Sequence, residues 1–391
     1  MRILFAVGSI DPRLGGSVEA ARVLAAGCRQ EGHHVEVVSV QTPRPEWMTI
    51  WPCEVHGCGY APTLFRFTPK LARWIRSNAA RFDCVIVNGI WTWLGIGIRR
   101  GLRGTGTPYF TFTHGMLDPW HSRDAGFKHF KKKVFWRLFE RQNLAGARAV
   151  LFTCEQERIA SKAWFGDREP AWSIAPLGID GVPAGDSQQA AAFRAAFPDL
   201  ASARYLLFLG RIAPQKGCEL LLQAFGLLAE RDPSLQLVMA GPGSGAYAEN
   251  MRKLASPAER VHWIGHLDGD AKWGAFRCAE VFVLTSHMEN FGISVAEALS
   301  CGKPVLITDA VAIWREIAGS EAGYVEPDSL EGAIHLLQRW METPPPQRAL
   351  MGRNALECFR SKFEYRAASR ELTRVIEECG EQCGRGELAR Q

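Results

Sequence analysis

The chain has 391 residues, 47% hydrophobic and 22% charged, a globular composition long enough for two or three domains and unlike a disordered or fibrous chain. No run of about 20 apolar residues occurs, so a spanning helix is not expected. The net charge of +5 hides an asymmetry: residues 1–185 hold 24 Lys and Arg against 15 Asp and Glu, and the remainder is net negative, so the first half is expected to meet something anionic.

Short apolar runs alternate with helical patterns along the whole chain. The first half predicts strands at Ile3–Ser9, Val35–Val40, Cys84–Asn88, Tyr109–Thr113, Ala149–Cys154 and Trp172–Ala175. Helical stretches such as Ser17–Glu31, Pro69–Arg81 and Lys128–Leu144 lie between them. The Gly- and Pro-rich segment 176–185 reads as a linker. Beyond it, strands are predicted at Tyr205–Leu209, Gln236–Ala240, His262–Gly265, Val281–Thr285, Val305–Thr308 and Gly323–Val325. Helices are predicted at Cys218–Arg231, Gly269–Cys278 and Ile293–Cys301, and the tail from Pro344 reads as helical, at Gln347–Phe359 and Tyr365–Cys379. Near-continuous apolar strands alternating with helices imply α/β architecture with parallel sheets covered on both faces. The start, Ile3-Leu4-Phe5-Ala6-Val7, lacks a signal peptide's basic leader and cleavage site and reads as a core strand. Eleven scattered cysteines suit buried thiols in a reducing compartment. Neither Cys53, His56 and Cys58 nor Cys379 and Cys383 form a four-ligand zinc pattern.

The candidate chemistry sits where strands end. Glu289 and Glu297 stand eight residues apart in Glu289-Asn290-Phe291-Gly292-Ile293-Ser294-Val295-Ala296-Glu297. The first carboxylate lies in the loop after a buried strand and the second lies inside the helix that this loop opens. The first N–H groups of a helix lack internal partners and favour an anion. A carboxylate beside them suits a ligand bearing both phosphates and hydroxyls, because it accepts two bonds from a diol. After the first strand of the second half comes Gly210-Arg211-Ile212-Ala213-Pro214-Gln215-Lys216-Gly217, whose cations can stabilise charge growing on a leaving phosphate. Gly15-Gly16 follows the first strand of the chain and lets backbone approach a ligand closely. No G-x-G-x-x-G follows it, so this is not the dinucleotide fingerprint. Asp268-Gly269-Asp270 could suggest a metal, but its place at a helix start is explained by capping and the helix dipole.

The stretch from Ser286 through Glu297, with Gly302-Lys303-Pro304 and the strand after it, resembles the signature of retaining glycosyltransferases of family 4. The 210–217 loop resembles that family's diphosphate-binding element, and His114-Gly115 its active-site His-Gly. The resemblance implies the GT-B fold: two doubly wound Rossmann-like domains facing a cleft, with a C-terminal helix crossing back to the first. Residues 1–183 would bind acceptor, 184–364 the nucleotide sugar, and 365–391 would form the returning helix. His114, Arg211, Lys216 and Glu289 are then expected in catalysis. Gly15, Gly16, Asn290, Phe291, Gly292, Ile293 and Glu297 are expected at the donor. No metal or other cofactor is expected, the nucleotide sugar being a substrate. The implied reaction retains anomeric configuration by attack on the front face, with the leaving phosphate taking the acceptor proton. The expected acceptor is a glycan, in particular a lipid-linked one in surface or exopolysaccharide assembly.

The segment from Arg123 to Leu138 is basic and aromatic. Lys128, Lys131, Lys132, Lys133 and Arg137 are read as contacts to anionic lipid headgroups, placing the protein in the cytoplasm, peripheral on the inner face of the cytoplasmic membrane. A merely solvated face is the alternative, and nucleic acid is not expected because no reading module is present. Rival functions are a GT-B nucleotide-sugar epimerase and a non-catalytic two-lobed ligand-binding or scaffold protein.

Overall fold

A run such as Ile3-Leu4-Phe5-Ala6-Val7 has no polar side to turn to water, so it folds only where both sheet faces are covered. A computed structural model describes residues 1–11, 16–41, 44–59, 66–122, 126–166, 168–255 and 257–388. Seven strands in the first half, β1 (Arg2–Val7), β2 (His34–Ser39), β3 (Glu54–Gly57), β4 (Cys84–Asn88), β5 (Tyr109–Phe112), β6 (Ala149–Phe152) and β7 (Trp172–Ile174), pair in parallel in the order β3-β2-β1-β4-β5-β6-β7. Five of the six residues of β1 are buried. Six more strands, β8 (Arg204–Leu209), β9 (Leu235–Ala240), β10 (Val261–Gly265), β11 (Val281–Leu284), β12 (Val305–Thr308) and β13 (Gly323–Glu326), make a second parallel sheet, β10-β9-β8-β11-β12-β13. In each sheet the chain winds outward one way and then the other. The reversals lie between β1 and β4 and between β8 and β11, the switch points at which doubly wound sheets bind ligands.

The chain divides into two compact units, one of Met1–Gly178 with Tyr365–Gln391 and one of Ile179–Glu364. The helix Tyr365–Leu388 therefore belongs to the first unit. Its buried stripe of Ala368, Leu372, Val375 and Ile376 follows helical spacing and lies against the helix Gly16–Gln30. The Tyr365 hydroxyl donates to Gln30 Oε1 at 2.7 Å, and Arg148 Nε donates to the Cys379 carbonyl at 2.9 Å.

Strand β3 and the helix Trp93–Leu102 are among the elements of the first unit that escape the sequence pattern. Strand β3 is Glu54-Val55-His56-Gly57, an edge strand with too little apolar content to register. The helix Trp93–Leu102 carries three glycines, which lower helix propensity. Tertiary packing explains at least one of them: a Cβ on Gly101 would stand 2.7 Å from Ile75 of the facing helix Pro69–Asn78.

Candidate functional site

In the second unit, the loops after β8 and β11 flank the switch point. The β8 loop runs from Gly210 to a short turn at Pro214–Lys216 and then into the helix Cys218–Leu228. Gly217 adopts φ +57°, and a Cβ there would collide with the Thr285 carbonyl at the end of β11. That close approach clamps the two loops together: Thr285 Oγ1 donates to the Gly217 carbonyl at 2.8 Å, and the His287 N–H to the Gln215 carbonyl at 3.0 Å. Gln215 Nε2 reaches back to the Met288 carbonyl at 3.0 Å.

These contacts bring Lys216 and Glu289 into an ion pair, with both side chains mostly buried. The sequence attributes Lys216 to an anion at this place; within the protein that anion is the Glu289 carboxylate. Glu289 is held by its backbone as well, its N–H donating to the Ala310 carbonyl at 3.0 Å and its carbonyl accepting from Ala312 at 2.8 Å. Arg211 is exposed on the same loop as Lys216.

Gly292, at φ +71°, stands before the helix Ile293–Ser300; its carbonyl accepts from the Val295 and Ala296 N–H groups at 2.8 and 3.1 Å, so it is the Ile293 and Ser294 N–H groups that have no partner within the helix. Asn290 precedes this turn, and Ile293 opens the helix. The Phe291 ring turns into the unit, edge-on to Phe363 at 5.8 Å, so only its backbone is available to a ligand. Glu297 is buried and paired with Lys272 of the helix Gly269–Cys278. Lys272, absent from the sequence reading, stands 4.8 Å from the Trp273 ring. Nothing in the spacing of the chain connects it to Glu297.

A second ionic network supports the β11 loop. His287 Nδ1 lies 2.6 Å from Asp328 Oδ1, and Nε2 lies 2.8 Å from Glu219 Oε1, whose carboxylate also accepts from the Tyr247 hydroxyl. Burial disfavours protonation of His287, but the hydrogen bonds and charges of Glu219 and Asp328 outweigh it and hold the pKa above the ordinary 6.5. The folded chain therefore keeps this proton over a pH interval in which the unfolded chain has lost it. The resulting stabilisation is complete below pH 6.5 and disappears as pH rises through the raised value. Melting temperature is expected to fall over that interval, and His287→Gln is expected to flatten the fall; an equal slope in both proteins refutes the assignment.

In the first unit, His114 follows β5 with φ +48°, a left-handed conformation rare outside glycine and costing of order 1–3 kcal/mol. Its ring stacks on Phe112 at 5.2 Å, and Nε2 lies 3.2 Å from Asn88 Oδ1 at the end of β4. Nδ1 is buried without a hydrogen-bond partner. Burial pushes the pKa down to about 4, leaving the imidazole neutral near pH 7. Holding this conformation is Glu157, a buried carboxylate that sequence reasoning missed. Its Oε1 accepts from Thr113 Oγ1 and the Gly115 N–H, both at 2.5 Å, and its Oε2 accepts from the Thr153 N–H and hydroxyl, both at 2.7 Å. It ties the turn after β5 to the end of β6. Gly16 opens the helix after β1, while Gly15 lies outside the described residues.

The basic segment is one helical stretch, Gly126–Ala145, interrupted by a π-type turn at Trp136–Glu140. Phe135 and Trp136 face inward. Phe130, Val134 and Leu138, spaced four apart, are 63%, 41% and 54% exposed. Lys131, Lys133 and Arg137 are exposed beside them, whereas Lys132 is half-buried, 5.4 Å from the Trp91 ring. The side chains of Phe127 and Lys128 lie outside the described residues. Asp268 does precede the helix Gly269–Cys278, but its side chain makes no capping bond, and Asp270 instead accepts from Gln188 Nε2 at 2.7 Å. Glu36, Glu54 and His56 are, among the described residues, a group close enough to hold a metal ion. Glu36 already accepts from His34, His56 and Arg81 at 3.0, 2.7 and 2.5 Å, so a guanidinium supplies the cation there. No helix among the described residues is long and apolar enough to cross a membrane.

Two family models match in tandem: a glycosyl transferase 4-like domain over residues 15–178 and glycosyl transferases group 1 over residues 193–357. The chain belongs to glycosyltransferase family 4. Its GT-B fold is shared with HepE of Anabaena, solved with UDP and glucose, at a TM-score of 0.72 and 18% identity over 96% of this chain and 99% of that one. The sucrose-phosphate synthase of Thermosynechococcus elongatus superposes with a TM-score of 0.75 at 18% identity, over 98% of this chain and all of that one. Among curated relatives, the phosphatidyl-myo-inositol mannosyltransferase of Mycolicibacterium smegmatis is 28% identical over 231 residues, 56% of this chain and 58% of that protein. The chain spans about half the length of the curated relatives it matches. In this family 4 member, Glu289, Lys216 and the helix start at Ile293 converge within one unit, whereas His114 is organised by the other.

Proposed function

We propose that the chain is a retaining glycosyltransferase that moves a sugar from a nucleoside diphosphate to a glycan acceptor. The observation carrying this reading is the Lys216–Glu289 pair at the switch point, joining the β8 loop to the loop that opens the helix Ile293–Ser300. A diphosphate placed there would meet Lys216, Arg211 and the helix N–H groups, while Glu289 and Glu297 would accept from sugar and ribose hydroxyls. In the transfer step the bond from the anomeric carbon to the phosphate oxygen breaks. The acceptor oxygen bonds to that carbon on the same face, and its proton passes to the leaving phosphate. Charge growing on that phosphate is stabilised by the two cations. The neutral imidazole of His114 is assigned to sugar hydroxyls. No metal enters the step, and a chelator is expected to leave transfer unchanged.

The structure of HepE with UDP and glucose supports a nucleotide-sugar donor. Thermal melting with UDP, GDP and ADP, without added metal, tests the reading, because a ligand bound only to the native state raises the melting temperature. One nucleotide is expected to do so clearly. No shift with any of the three overturns the donor site.

The acceptor proposed is a lipid-linked glycan, met on the inner face of the cytoplasmic membrane. The exposed stripe of Phe130, Val134 and Leu138 flanked by Lys131, Lys133 and Arg137 suits a helix lying in the headgroup region, as does the relative named a phosphatidyl-myo-inositol mannosyltransferase. Changing Lys131, Lys133 and Arg137 together to Glu is expected to weaken binding to anionic vesicles by at least about a hundredfold, at roughly 1 kcal/mol per cation. Sedimentation with vesicles measures it, and undiminished binding removes the membrane contact.

A further inference from the structure

The basic stretch Gly126–Ala145 carries six Lys and Arg and a single acid, Glu140. That carboxylate is buried, where it accepts from the Trp91 N–H at 3.0 Å and from Asn143 Nδ2 at 3.5 Å. Three of the cations, Lys133, Arg137 and Arg141, line a pocket of about 580 Å³ whose other walls include Trp136, Trp164 and Pro119. All three are exposed, and among the described residues none of them has a hydrogen-bond or ion-pair partner. No aspartate or glutamate among the described residues lines the pocket. The helix dipole does not explain this row, because the last turn of the stretch has no basic residue. Like charges four apart on a helix destabilise it, so solvation alone gains nothing from the spacing. An anion in the pocket meets all three and relieves the repulsion.

The aromatic wall is anchored. Trp91, in a left-handed conformation at φ +67°, packs 6.1 Å from Trp136 and 5.1 Å from Trp164, and those two rings lie 5.2 Å apart. The Trp91 indole N–H donates to the Met116 carbonyl at 3.1 Å, which ties the wall to the turn that holds His114. All of these residues belong to the first unit. The cation row also runs beside the exposed stripe: Lys133, Arg137 and Arg141 each follow a stripe residue, Phe130, Val134 or Leu138, by three positions, so the two rows are neighbours on the helix. With the stripe at the acyl boundary, the cations stand at headgroup depth. Guanidiniums bind phosphate oxygens in pairs, and the volume suits a small headgroup.

We propose that this pocket seats the phosphate group of a membrane-embedded lipid, whose hydrocarbon chain leaves along the stripe. The inference deepens the acceptor reading and rests on it: the lipid held here is the acceptor's own anchor, bound in a defined seat, and the surrounding bilayer is met only by diffuse charge.

Titration calorimetry with dihexanoyl phosphatidic acid, kept below its micelle concentration, tests the seat without a membrane surface on four proteins: wild type, Arg141→Ala, Arg141→Lys and Ala163→Trp. Arg141→Ala is expected to weaken binding by about tenfold or more, the loss of one charge-assisted bond. Arg141→Lys is expected to fall between it and wild type, since charge remains but the paired geometry is lost. Ala163 lines the pocket from an exposed position. An indole there takes up space without changing charge, so it is expected to weaken binding of the short-chain lipid while sedimentation with phosphatidylcholine–phosphatidylglycerol vesicles stays at the wild-type level. Unchanged melting temperatures confirm that the fold persists. Binding by Arg141→Ala equal to wild type overturns the proposal. Inorganic phosphate binding as tightly as the short-chain lipid also overturns it, assigning a free phosphorylated molecule instead. Failure here is distinct from failure of the wider reading: vesicle binding lost on reversing Lys131, Lys133 and Arg137 supports membrane contact whatever the seat holds, and melting with nucleotides reports on the donor site alone.

Discussion

Lys216→Ala is expected to lower sugar transfer by about a hundredfold to a thousandfold, the range found when one donor is removed from a site of developing negative charge. Glu289→Gln is expected to lose at least as much, for a different reason. The amide cannot neutralise Lys216 and offers one acceptor atom in place of two, so Lys216 is left with a neutral neighbour in a mostly buried setting. Because the two residues share one contact, the double variant should lose far less than the product of the single losses. Initial rates with saturating donor and acceptor measure this, and far-UV dichroism verifies folding. Wild-type turnover in either single variant would falsify the site assignment. Additive losses would leave both residues active but show that they work independently. Arg211 is exposed on the same loop, and its effect is expected mainly in donor affinity.

Glu157→Ala is expected to cost the first unit about 3 kcal/mol, the largest stability loss anticipated from a single change in the β5 turn. Two backbone N–H groups and two hydroxyls point at this carboxylate. The hydroxyls can rotate toward other acceptors, but the N–H groups of Gly115 and Thr153 cannot. Each buried donor left without a partner costs about 1–3 kcal/mol. Glu157→Gln tests the charge and the geometry separately. Its shape is preserved, yet one of its two terminal atoms becomes a donor and faces two donors. A loss of about 2 kcal/mol is expected for the amide. Urea titration resolves both, and a change of less than about 0.5 kcal/mol in the alanine protein, the ordinary surface range, rules out the clamp. The same variants should also reduce transfer, because the His114 backbone sits in a left-handed conformation that the surrounding bonds must enforce.

Both cases show what could be read from the chain alone. The sheets were legible because most of their strands are near-continuous apolar runs, and the switch-point loops because glycine and charge interrupt those runs at the carboxyl ends. Lys216 was recognisable as a cation out of place at a helix start. Its partner was not recognisable, because the separation of 73 positions between Lys216 and Glu289 closes only when β8 and β11 become neighbours. Glu157 and Lys272 look like ordinary charged residues of amphipathic helices, and only burial against a distant turn or helix gives them a function. His287 is equally silent, since Glu219 and Asp328 arrive from opposite sides of the sequence. The polar strand β3 was missed for the complementary reason: at a sheet edge, pairing can proceed with little apolar area. The inward turn of Phe135 beside outward Phe130, Val134 and Leu138 depends on which side of the helix meets the sheet, and composition does not specify that.

The membership of Tyr365–Leu388 in the first unit sets an order for synthesis. Domains assemble as they leave the ribosome, and here the second unit, being continuous from Ile179 to Glu364, has all its strands available before the first has received its final helix. During that interval the apolar face of Gly16–Gln30 lacks its covering stripe of Ala368, Leu372, Val375 and Ile376. Completion of the earlier-made unit thus awaits the later-made one, so a nascent chain halted before Tyr365 would expose the surface that chaperones recognise.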